Sequence, residues 1–397
     1  MILLSVANYI FMSFIHVIMI NFRNSNISFN GYDVLPLRGL YMQGIRKSGE
    51  KNIFMEMKNI ADKEGIDIFV NQDGTTITQD LSADDKYDEF LSIWGQDNKA
   101  FVINKNGKTI LCNSKEAAIE EDSLGKLSDF QLDRKKYMPR GGEYYLGYKN
   151  NGEKWLIING MSLASAKEFE RFGDLPTREH LYDLFDIKPE NLYVITDFTS
   201  DIDETIRPIG YPNVLVNDYR LALKNLEQMK KKFPESYETY GKMKEYLLQK
   251  IKEGDENIAG APDPDKICEK LKEYGFNPIK IGGRYSEDIN YMNALAFKNK
   301  KNKISYITNS TKGTYPEVEY LEKLFEKDLK KKVPKIKNTY FVSGDRYEKE
   351  SAVPGLFDIF FSNRGLKKKT AIMDILACRG GGIHCMTAEI PDFDRIG

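Results

Sequence analysis

Pairs of short apolar runs, separated by turn residues, recur along this chain. Residues 100–104 and 109–112 are two such runs on either side of Lys105-Asn106-Gly107-Lys108. An Asn-Gly pair between β-rich runs predicts a β-hairpin, because both residues accept the positive φ of a tight turn. Similar pairs of runs occupy residues 143–158, 204–217 and 293–308. The pattern therefore predicts four hairpins of the same kind.

Helical spacing of apolar residues follows three of these hairpins. It predicts helices over Ser165–Phe172, Arg220–Phe233 and Glu317–Lys331. A hairpin followed by a helix then forms an internal repeat with a period of roughly 45–90 residues. Alternating strands and helices indicate an α/β fold, and units that cannot bury their own apolar faces favour closure around a common axis. The pattern alone leaves other α/β topologies open.

Two earlier elements and one later helix complete this reading of the pattern. Residues 54–65 have helical spacing and end at a glycine, and residues 66–71 form a short β-branched run. Residues 177–185 predict a further helix, which contains His180.

The first 22 residues are almost entirely apolar, and Arg23 carries the first charge. This length suits a signal sequence or a membrane anchor, although it lacks a basic start and a small-residue cleavage site. We therefore predict that residues 1–23 form an apolar leader with possible membrane contact through residues 1–22. The protein would then be secreted or membrane-attached. With a misassigned start codon it would be cytoplasmic. Residues 24–397 are predicted to form one domain, with an insertion at about residues 234–265.

Composition limits the classes of ligand and partner that this protein is expected to bind. The chain has 397 residues, of which 41% are hydrophobic and 29% charged, as in soluble globular proteins. A net charge of −1 gives no support for a nucleic-acid surface. Four scattered cysteines and three histidines lack metal-ligand spacing, so no metal is predicted, although acidic runs leave calcium open. Without a Gly-x-Gly-x-x-Gly sequence, no dinucleotide or other cofactor is predicted.

The strongest chemical signal lies near the C-terminus, in Gly380-Gly381-Gly382-Ile383-His384-Cys385. Consecutive glycines allow close approach to the backbone, because no Cβ is present. Cys385 is therefore a candidate nucleophile beside a substrate. A small buried hydrophobic residue is an equally good interpretation of a single cysteine.

Three motifs, in order, resemble the guanidine-modifying enzymes of the pentein fold, in particular agmatine deiminases and bacterial peptidyl-arginine deiminases. The glycine-rich run is similar to their catalytic-cysteine segment. Trp94-Gly95-Gln96-Asp97 resembles a Trp-x-Arg/Gln-Asp segment, and Asp201-Ile202-Asp203 resembles a His-x-Asp segment. The resemblance implies a five-bladed β/α-propeller whose fifth hairpin ends in Cys385. It also implies that Cys385 forms a thiouronium intermediate, while Trp94, Asp97 and Asp203 bind the substrate guanidinium.

The sequence departs from this pattern at Asp201, which stands where the family has its general acid/base histidine. An Asp titrates near 3.9 in the absence of perturbation and is a poor acid at neutral pH. Arg140 similarly replaces a family carboxylate. The leading hypothesis is a deiminase with Cys385, Asp201 and Asp203 as catalytic residues, acting on agmatine-like guanidino molecules or arginine-containing peptides. The alternative is a catalytically impaired protein that binds arginine-like ligands or a partner protein. An amidinotransferase is a third option. The sequence does not determine the oligomeric state.

Overall fold

Short strands and helices alternate throughout the described part of the chain. The computed structural model describes residues 36–42, 53–70, 99–103, 109–114, 131–135, 139, 141–149, 151–172, 175–196, 201–256, 258, 263–287, 289–310, 316–343, 346–348, 369–371, 382–392 and 395. All of them belong to the compact unit formed by residues 33–397. The protein is a mixed α/β fold with several small sheets.

Five of the sheets have three strands and share one topology. In each sheet the central strand has one antiparallel and one parallel neighbour. The strands of these sheets are β1 (Leu37–Met42), β2 (Asp67–Val70), β3 (Lys99–Ile103), β4 (Thr109–Ser114), β5 (Gln131–Lys135), β6 (Tyr144–Tyr148), β7 (Lys154–Asn159), β8 (Leu192–Ile195), β9 (Ile206–Pro208), β10 (Asn213–Asn217), β11 (Asn277–Ile281), β12 (Ala294–Lys298), β13 (Ile304–Asn309), β14 (Ile336–Val342) and β17 (Thr387–Pro391). The sheet orders are β17-β1-β2, β3-β4-β5, β6-β7-β8, β9-β10-β11 and β12-β13-β14.

A separate two-stranded sheet pairs β15 (Arg346–Glu348) with β16 (Lys369–Ala371). Among the described residues the sheets remain separate, and none closes on itself.

The four predicted hairpins are confirmed. The strand pairs β3–β4, β6–β7, β9–β10 and β12–β13 are all antiparallel. Turn residues explain two of them, because Gly152 has a φ of 78° between β6 and β7 and Asn302 has a φ of 57° between β12 and β13. Glycine and asparagine tolerate this left-handed region better than other residues.

The fifth predicted hairpin, which would end in Cys385, is wrong. Cys385 lies in a one-turn helix, and the strand that follows it, β17, pairs antiparallel with β1. Leu37 thus lies opposite Pro391, and Met42 lies opposite Thr387. The partner strand comes from the other end of the described chain. Turn signals cannot reveal such a pairing, because they report only on neighbours in sequence.

Eight helices connect or cover the described strands. They are α1 (Ile53–Glu64), α2 (Ala166–Phe172), α3 (Arg178–Phe185), α4 (Tyr219–Lys232), α5 (Tyr237–Asp255), α6 (Pro264–Glu273), α7 (Pro316–Lys332) and α8 (Ile383–Met386). The predicted helices are confirmed to within two residues at each end.

Local sequence explains where the helices begin and end. The Asp218 carboxylate accepts hydrogen bonds from the backbone N–H groups of Arg220 and Leu221, which caps α4 at its start. Such a cap contributes about 1 kcal/mol. Three lysines, residues 230–232, lie in the last turn of α4, where cations suit the negative end of the helix dipole.

The predicted insertion at about residues 234–265 contains α5, which extends to Asp255 and packs against α4. Met243 and Leu247 are buried on this helix. Apolar side chains therefore attach α5 to the rest of the fold, and it is not an isolated polar loop.

One core cluster directly supports the cysteine segment. Ile383, Cys385 and Met386 pack with residues of α1 and of strands β1, β12 and β13. The sheet formed by the first and last described strands therefore shares its core with the sheet that contains β12 and β13.

Several predictions concern residues outside the described ranges. These are the leader at residues 1–23 and the motif residues Trp94, Asp97 and Arg140. In the described part of the chain, no helix combines the length and apolar character needed to cross a bilayer.

Candidate active site

Cys385 lies in α8, directly before β17, and is 4% exposed. Gly382 precedes this helical turn. A Cβ at Gly382 would come within 2.4 Å of Asn309 Nδ2 and 2.5 Å of Asn293 Oδ1. Real Cβ atoms do not approach other atoms so closely, so any other residue here would force the asparagine side chains to move. At Gly382, the close approach to the backbone is made by two asparagine side chains.

These two asparagines hold the backbone beside the thiol. Asn309 Oδ1 accepts a hydrogen bond of 2.8 Å from the N–H of Ile383. Asn293 Oδ1 accepts one of 2.9 Å from the N–H of His384. Both N–H groups lie in the first turn of α8, where no intrahelical acceptor is available. The asparagines thus fix the position of the turn that carries Cys385.

Asp203 lies in the 3₁₀ turn Ile202–Glu204, just before β9, and its side chain is completely buried. Its Oδ2 atom accepts a hydrogen bond of 2.8 Å from Asn293 Nδ2 and contacts His384 Nδ1 at 2.8 Å. The Cys385 thiol also donates to Oδ2, at 3.3 Å. Among the described residues, Oδ1 has no hydrogen-bond partner. One carboxylate oxygen is therefore held by the protein, while the other has acceptor capacity to spare.

The pKa of Asp203 is raised to about 7. Burial is the largest cause, because it penalises the charged carboxylate, and the negative charge of Glu204 adds to it. The hydrogen bond from Cys385 and the cations Arg207 and Arg284 act in the opposite direction. Both forms of Asp203 are thus populated near neutral pH in the unliganded site. A bound cation would shift the balance towards the carboxylate.

His384 is buried, at 1% exposure. Burial and, second, the positive charge of Arg207 hold the pKa of His384 well below its usual range. The imidazole is therefore neutral at physiological pH. Its Nδ1 donates to Asp203 when that carboxyl is ionised, while its ring packs 5.1 Å from the ring of Tyr145.

Two buried arginines near these residues, Arg207 and Arg284, each form an ion pair with a carboxylate. Arg207 donates to Glu389 at 3.0 Å and lies over the ring of Tyr145. Arg284 donates to Glu204 at 2.9 Å and also contacts Glu287. These ion pairs give Arg284 a role within the protein.

Asp201 lies two residues before Asp203 and is partly buried. Its carboxylate packs against Gly142, where a Cβ would come within 2.6 Å of Asp201 Oδ2. Gly142 belongs to the 3₁₀ turn Gly141–Glu143, which also contacts α8. The turn that carries Asp201 and the turn before β6 thus meet close to the cysteine helix.

The structure therefore brings together Cys385 and Asp203, which the motifs singled out, with Asn293 and His384, to which sequence reasoning gave no catalytic role. Their sequence neighbourhood was the available signal. His384 directly precedes the cysteine, and Asn293 is the first residue of the predicted hairpin at residues 293–308. Trp94 and Asp97 lie outside the described residues.

Among the described residues, no group of three or more His, Cys, Asp or Glu side chains could hold a metal ion. The polar cluster around Cys385 consists of one thiol, one carboxylate, one amide and one imidazole. A thiol beside a carboxyl, an amide and an imidazole can act as a nucleophile.

No protein-family model matches the sequence, and no curated protein matches it either. Solved structures do show similarity. An agmatine deiminase from C. jejuni is 13% identical, with a TM-score of 0.46, over 91% of this chain and 95% of that one. The agmatine deiminase of Enterococcus faecalis is 11% identical, with a TM-score of 0.48, over 90% and 94%. DDAH from Pseudomonas aeruginosa, solved in complex with citrulline, is 9% identical, with a TM-score of 0.40, over 89% and 100%. The solved structures that this chain resembles thus include two agmatine deiminases and DDAH.

Proposed function

We propose that this protein is a cysteine-dependent hydrolase of guanidino groups. The observation that carries the proposal is the contact between the Cys385 thiol and the buried Asp203 carboxyl. A buried carboxylate with a spare oxygen suits the N–H groups of a guanidinium, which donate to carboxylates in pairs. The thiol lies 3.3 Å from the other oxygen of the same carboxyl, so it would be near the central carbon of the bound group.

The proposed reaction replaces one guanidino nitrogen with oxygen. The Cys385 thiolate attacks the central carbon and forms a C–S bond, while the C=N electron pair moves to nitrogen. Protonation of one amino group lets it leave as ammonia, and a thiouronium remains on sulfur. Water then adds to this carbon and loses both of its protons, and the C–S bond breaks. The products are a ureido group and the regenerated thiolate.

In this proposal Asp203 holds the guanidinium and Asp201 transfers protons. Trp94 and Asp97 complete the substrate site, as the resemblance implies. Asp201 occupies the family position of the acid/base histidine. Its proximity to the turn 141–143, which borders α8, supports a position near the reacting atoms. The substrate is a guanidino small molecule such as agmatine, or an arginine in a peptide.

We propose that the five three-stranded sheets are the blades of a five-bladed β/α-propeller. Their common topology supports this, since each has the same antiparallel and parallel neighbours. The pairing of β1 with β17 supports it further, because it joins the first and last described strands in one sheet, as a closed ring of blades can do. In such a ring the segments before β9, β12 and β17 converge, as the contacts among Asp203, Asn293 and Cys385 require.

The test is the formation of a ureido product from agmatine, free arginine and an arginine-containing peptide, measured colourimetrically. Wild-type protein is expected to form product from at least one of them. Cys385→Ala is expected to reduce the rate to background, and Asp203→Asn to reduce it at least ~10²-fold. Cys268→Ala is the matched control, because Cys268 is also buried but packs in another core cluster. Equal rates for wild type and Cys385→Ala would overturn the proposal.

A second candidate function is ligand binding without turnover. It is favoured by Asp201, since a carboxylate in place of a histidine strengthens cation binding while impairing proton transfer. Calorimetry with agmatine and arginine separates the two functions. Saturable binding without ureido product identifies a binding protein. An amidinotransferase would instead transfer the amidino group, and its product would form only when an amine acceptor is added.

A further inference from the structure

Asn293 is the only described side chain that directly connects the thiol, the carboxylate and the backbone of the cysteine helix. Its Nδ2 donates to Cys385 Sγ at 3.1 Å and to Asp203 Oδ2 at 2.8 Å. Its Oδ1 accepts from the His384 N–H at 2.9 Å. We propose that Asn293 is a positioning residue that stabilises the Cys385 thiolate beside the Asp203 carboxylate.

The orientation of the Asn293 amide follows from its partners. Oδ1 faces a backbone N–H, which can only donate. Nδ2 faces a carboxyl oxygen and a sulfur, both of which accept. The reversed amide would place an oxygen against Asp203 and an NH₂ group against an N–H, losing all three hydrogen bonds. Both Nδ2 protons are therefore directed at the two groups of the proposed chemistry.

The Asn293 amide offsets a repulsion between two negative charges in the site. Asp203 Oδ2 and Cys385 Sγ are 3.3 Å apart, and both carry negative charge once the carboxylate and the thiolate are present. Like charges at this distance repel strongly in a buried environment. Two N–H donors from one amide group provide positive partial charge to each of them. Hydrogen bonds to ionised groups are stronger than those between neutral groups, so the amide favours the doubly ionised site.

Asn309 offers an internal comparison. It also accepts a backbone hydrogen bond from the first turn of α8, and its Nδ2 donates to the carbonyl of Asn290. That donor is directed at the backbone and not at the thiol or the carboxylate. Asn293 and Asn309 thus share the task of holding the helix, and the contacts of Asn293 with the reacting groups distinguish them.

The inference rests on the proposed function, because it takes Cys385 as the nucleophile. Its test, however, does not require turnover. The rate of alkylation of Cys385 by iodoacetamide is measured from pH 5 to pH 9, with mass spectrometry of the peptide that contains Cys385. Because thiolate is the reactive form, the midpoint of this profile reports thiolate formation. Failure of the proposed function would leave the profile intact and remove only the ureido product.

Asn293→Asp is the first variant, with Asn309→Asp as its matched control. Each keeps the oxygen that accepts the backbone N–H and removes the NH₂ donor. We expect Asn293→Asp to move the midpoint upward by at least one pH unit, with a rate at pH 7 reduced at least ~10-fold. Asn309→Asp adds a similar charge near the helix but removes no donor from the sulfur, so it is expected to move the midpoint upward by less than Asn293→Asp does.

Asn293→Ala and Asn309→Ala remove the NH₂ donor without adding a carboxylate, so they separate the effect of the lost donor from that of the added charge. Each removes one backbone acceptor of α8, so general loosening of the helix affects both alike. A larger upward shift for Asn293→Ala supports the proposal, and circular dichroism at each pH confirms folding. Equal shifts in the two alanine variants would overturn it, as would a wild-type Cys385 that is not alkylated anywhere between pH 5 and pH 9.

Discussion

Asp203 Oδ2 lies 3.3 Å from the Sγ of Cys385, although the two residues are 182 positions apart in the sequence. The turn before β9 carries the carboxyl, and the helix before β17 carries the thiol. The contact is buried, so each group senses the ionisation of the other. This coupling makes the site sensitive to pH in a way that can be measured without a substrate.

The stability of the protein is expected to depend on pH through Asp203. Its pKa is about 7 in the folded protein, against about 3.9 in an unfolded chain. The folded state thus binds more protons between these pH values, and this contribution to stability falls as the pH rises from about 4 to about 7.

Asp203→Asn removes that contribution. Relative to wild type, the free energy of unfolding of the variant should therefore increase by on the order of 2 kcal/mol between pH 5 and pH 7.5. The contribution of His384 to stability has the opposite sign. Its pKa is lowered in the folded protein, so this contribution increases as the pH rises to about 6.5, the usual pKa of an unfolded histidine. Burial and Arg207, which lower the pKa of His384, are common to both proteins, so most of its contribution cancels in the comparison. Urea denaturation at pH 5, 6 and 7.5 measures the difference, and a constant difference would contradict this account.

Restoring a histidine at position 201 should increase turnover. The Asp201→His variant supplies an imidazole that can both donate and accept a proton near neutral pH, as the resemblance implies for this position. The expected gain in ureido product is up to ~10²–10⁴-fold, the range ascribed to a positioned acid/base. Cation binding should weaken modestly, because one negative charge is lost.

Asp201→Asn is the matched control for this variant, since it removes the carboxylate without adding an imidazole. It should show no gain. A folded Asp201→His protein that binds agmatine and gains nothing would mean that the site serves another reaction. A wild type that is fast, and slowed by the change, would identify Asp201 itself as the proton-transfer residue.

Gly382→Ala should disrupt the site. The new Cβ would lie 2.4 Å from Asn309 Nδ2 and 2.5 Å from Asn293 Oδ1, so both asparagines must move away from α8. We expect a loss of stability of about 1–3 kcal/mol, as for other overpacked positions, together with a loss of ureido product. Thermal denaturation and the product assay measure the two effects.

Gly241→Ala is the control for a glycine without such contacts. Gly241 lies within α5, and a Cβ there would meet nothing within 4 Å. Alanine favours helix more than glycine does, so this variant should be more stable by about 0.5–1 kcal/mol and equally active. Similar behaviour of the two variants would contradict the assigned role of Gly382.

Removing one partner of the Arg207–Glu389 ion pair should destabilise the protein more than replacing both partners by apolar residues. Arg207 is buried and its Nη2 atom lies 3.0 Å from Glu389 Oε1. Arg207→Met leaves Glu389 without this partner and should cost about 3 kcal/mol. The double variant Arg207→Met/Glu389→Leu should recover most of that loss, because neither charge then remains partly buried. Chemical denaturation of the three proteins tests this, and strictly additive losses would contradict it.

Local sequence predicted the hairpins and helices well. The apolar runs around residues 105–108 and 150–152 required antiparallel partners that were close in sequence, and turn residues marked where the chain reverses. Helix bounds followed from apolar spacing and from capping residues such as Asp218. Each of these features depends on interactions between residues a few positions apart, which a sequence displays directly.

The pairing of β1 with β17 and the contacts of Asn293 and His384 were not predicted. The sequence around Asn293 is equally compatible with an ordinary strand start, and nothing in it shows that its amide will meet a thiol 92 positions away. His384 was visible only as the neighbour of the cysteine. Its buried contact with Asp203 depends on how two distant turns pack.

By itself, the sequence determined the repeated strand and helix pattern, the glycine at 382, and the presence of a thiol and carboxylates in an order that resembles guanidine-modifying enzymes. The tertiary structure decided which of these groups touch, which oxygen of Asp203 is held, and how far its pKa rises. The physical reason is that secondary structure follows from short-range propensities. Hydrogen bonding, burial and charge coupling between Asp203, Asn293 and Cys385 instead arise only when separate sheets pack and exclude water.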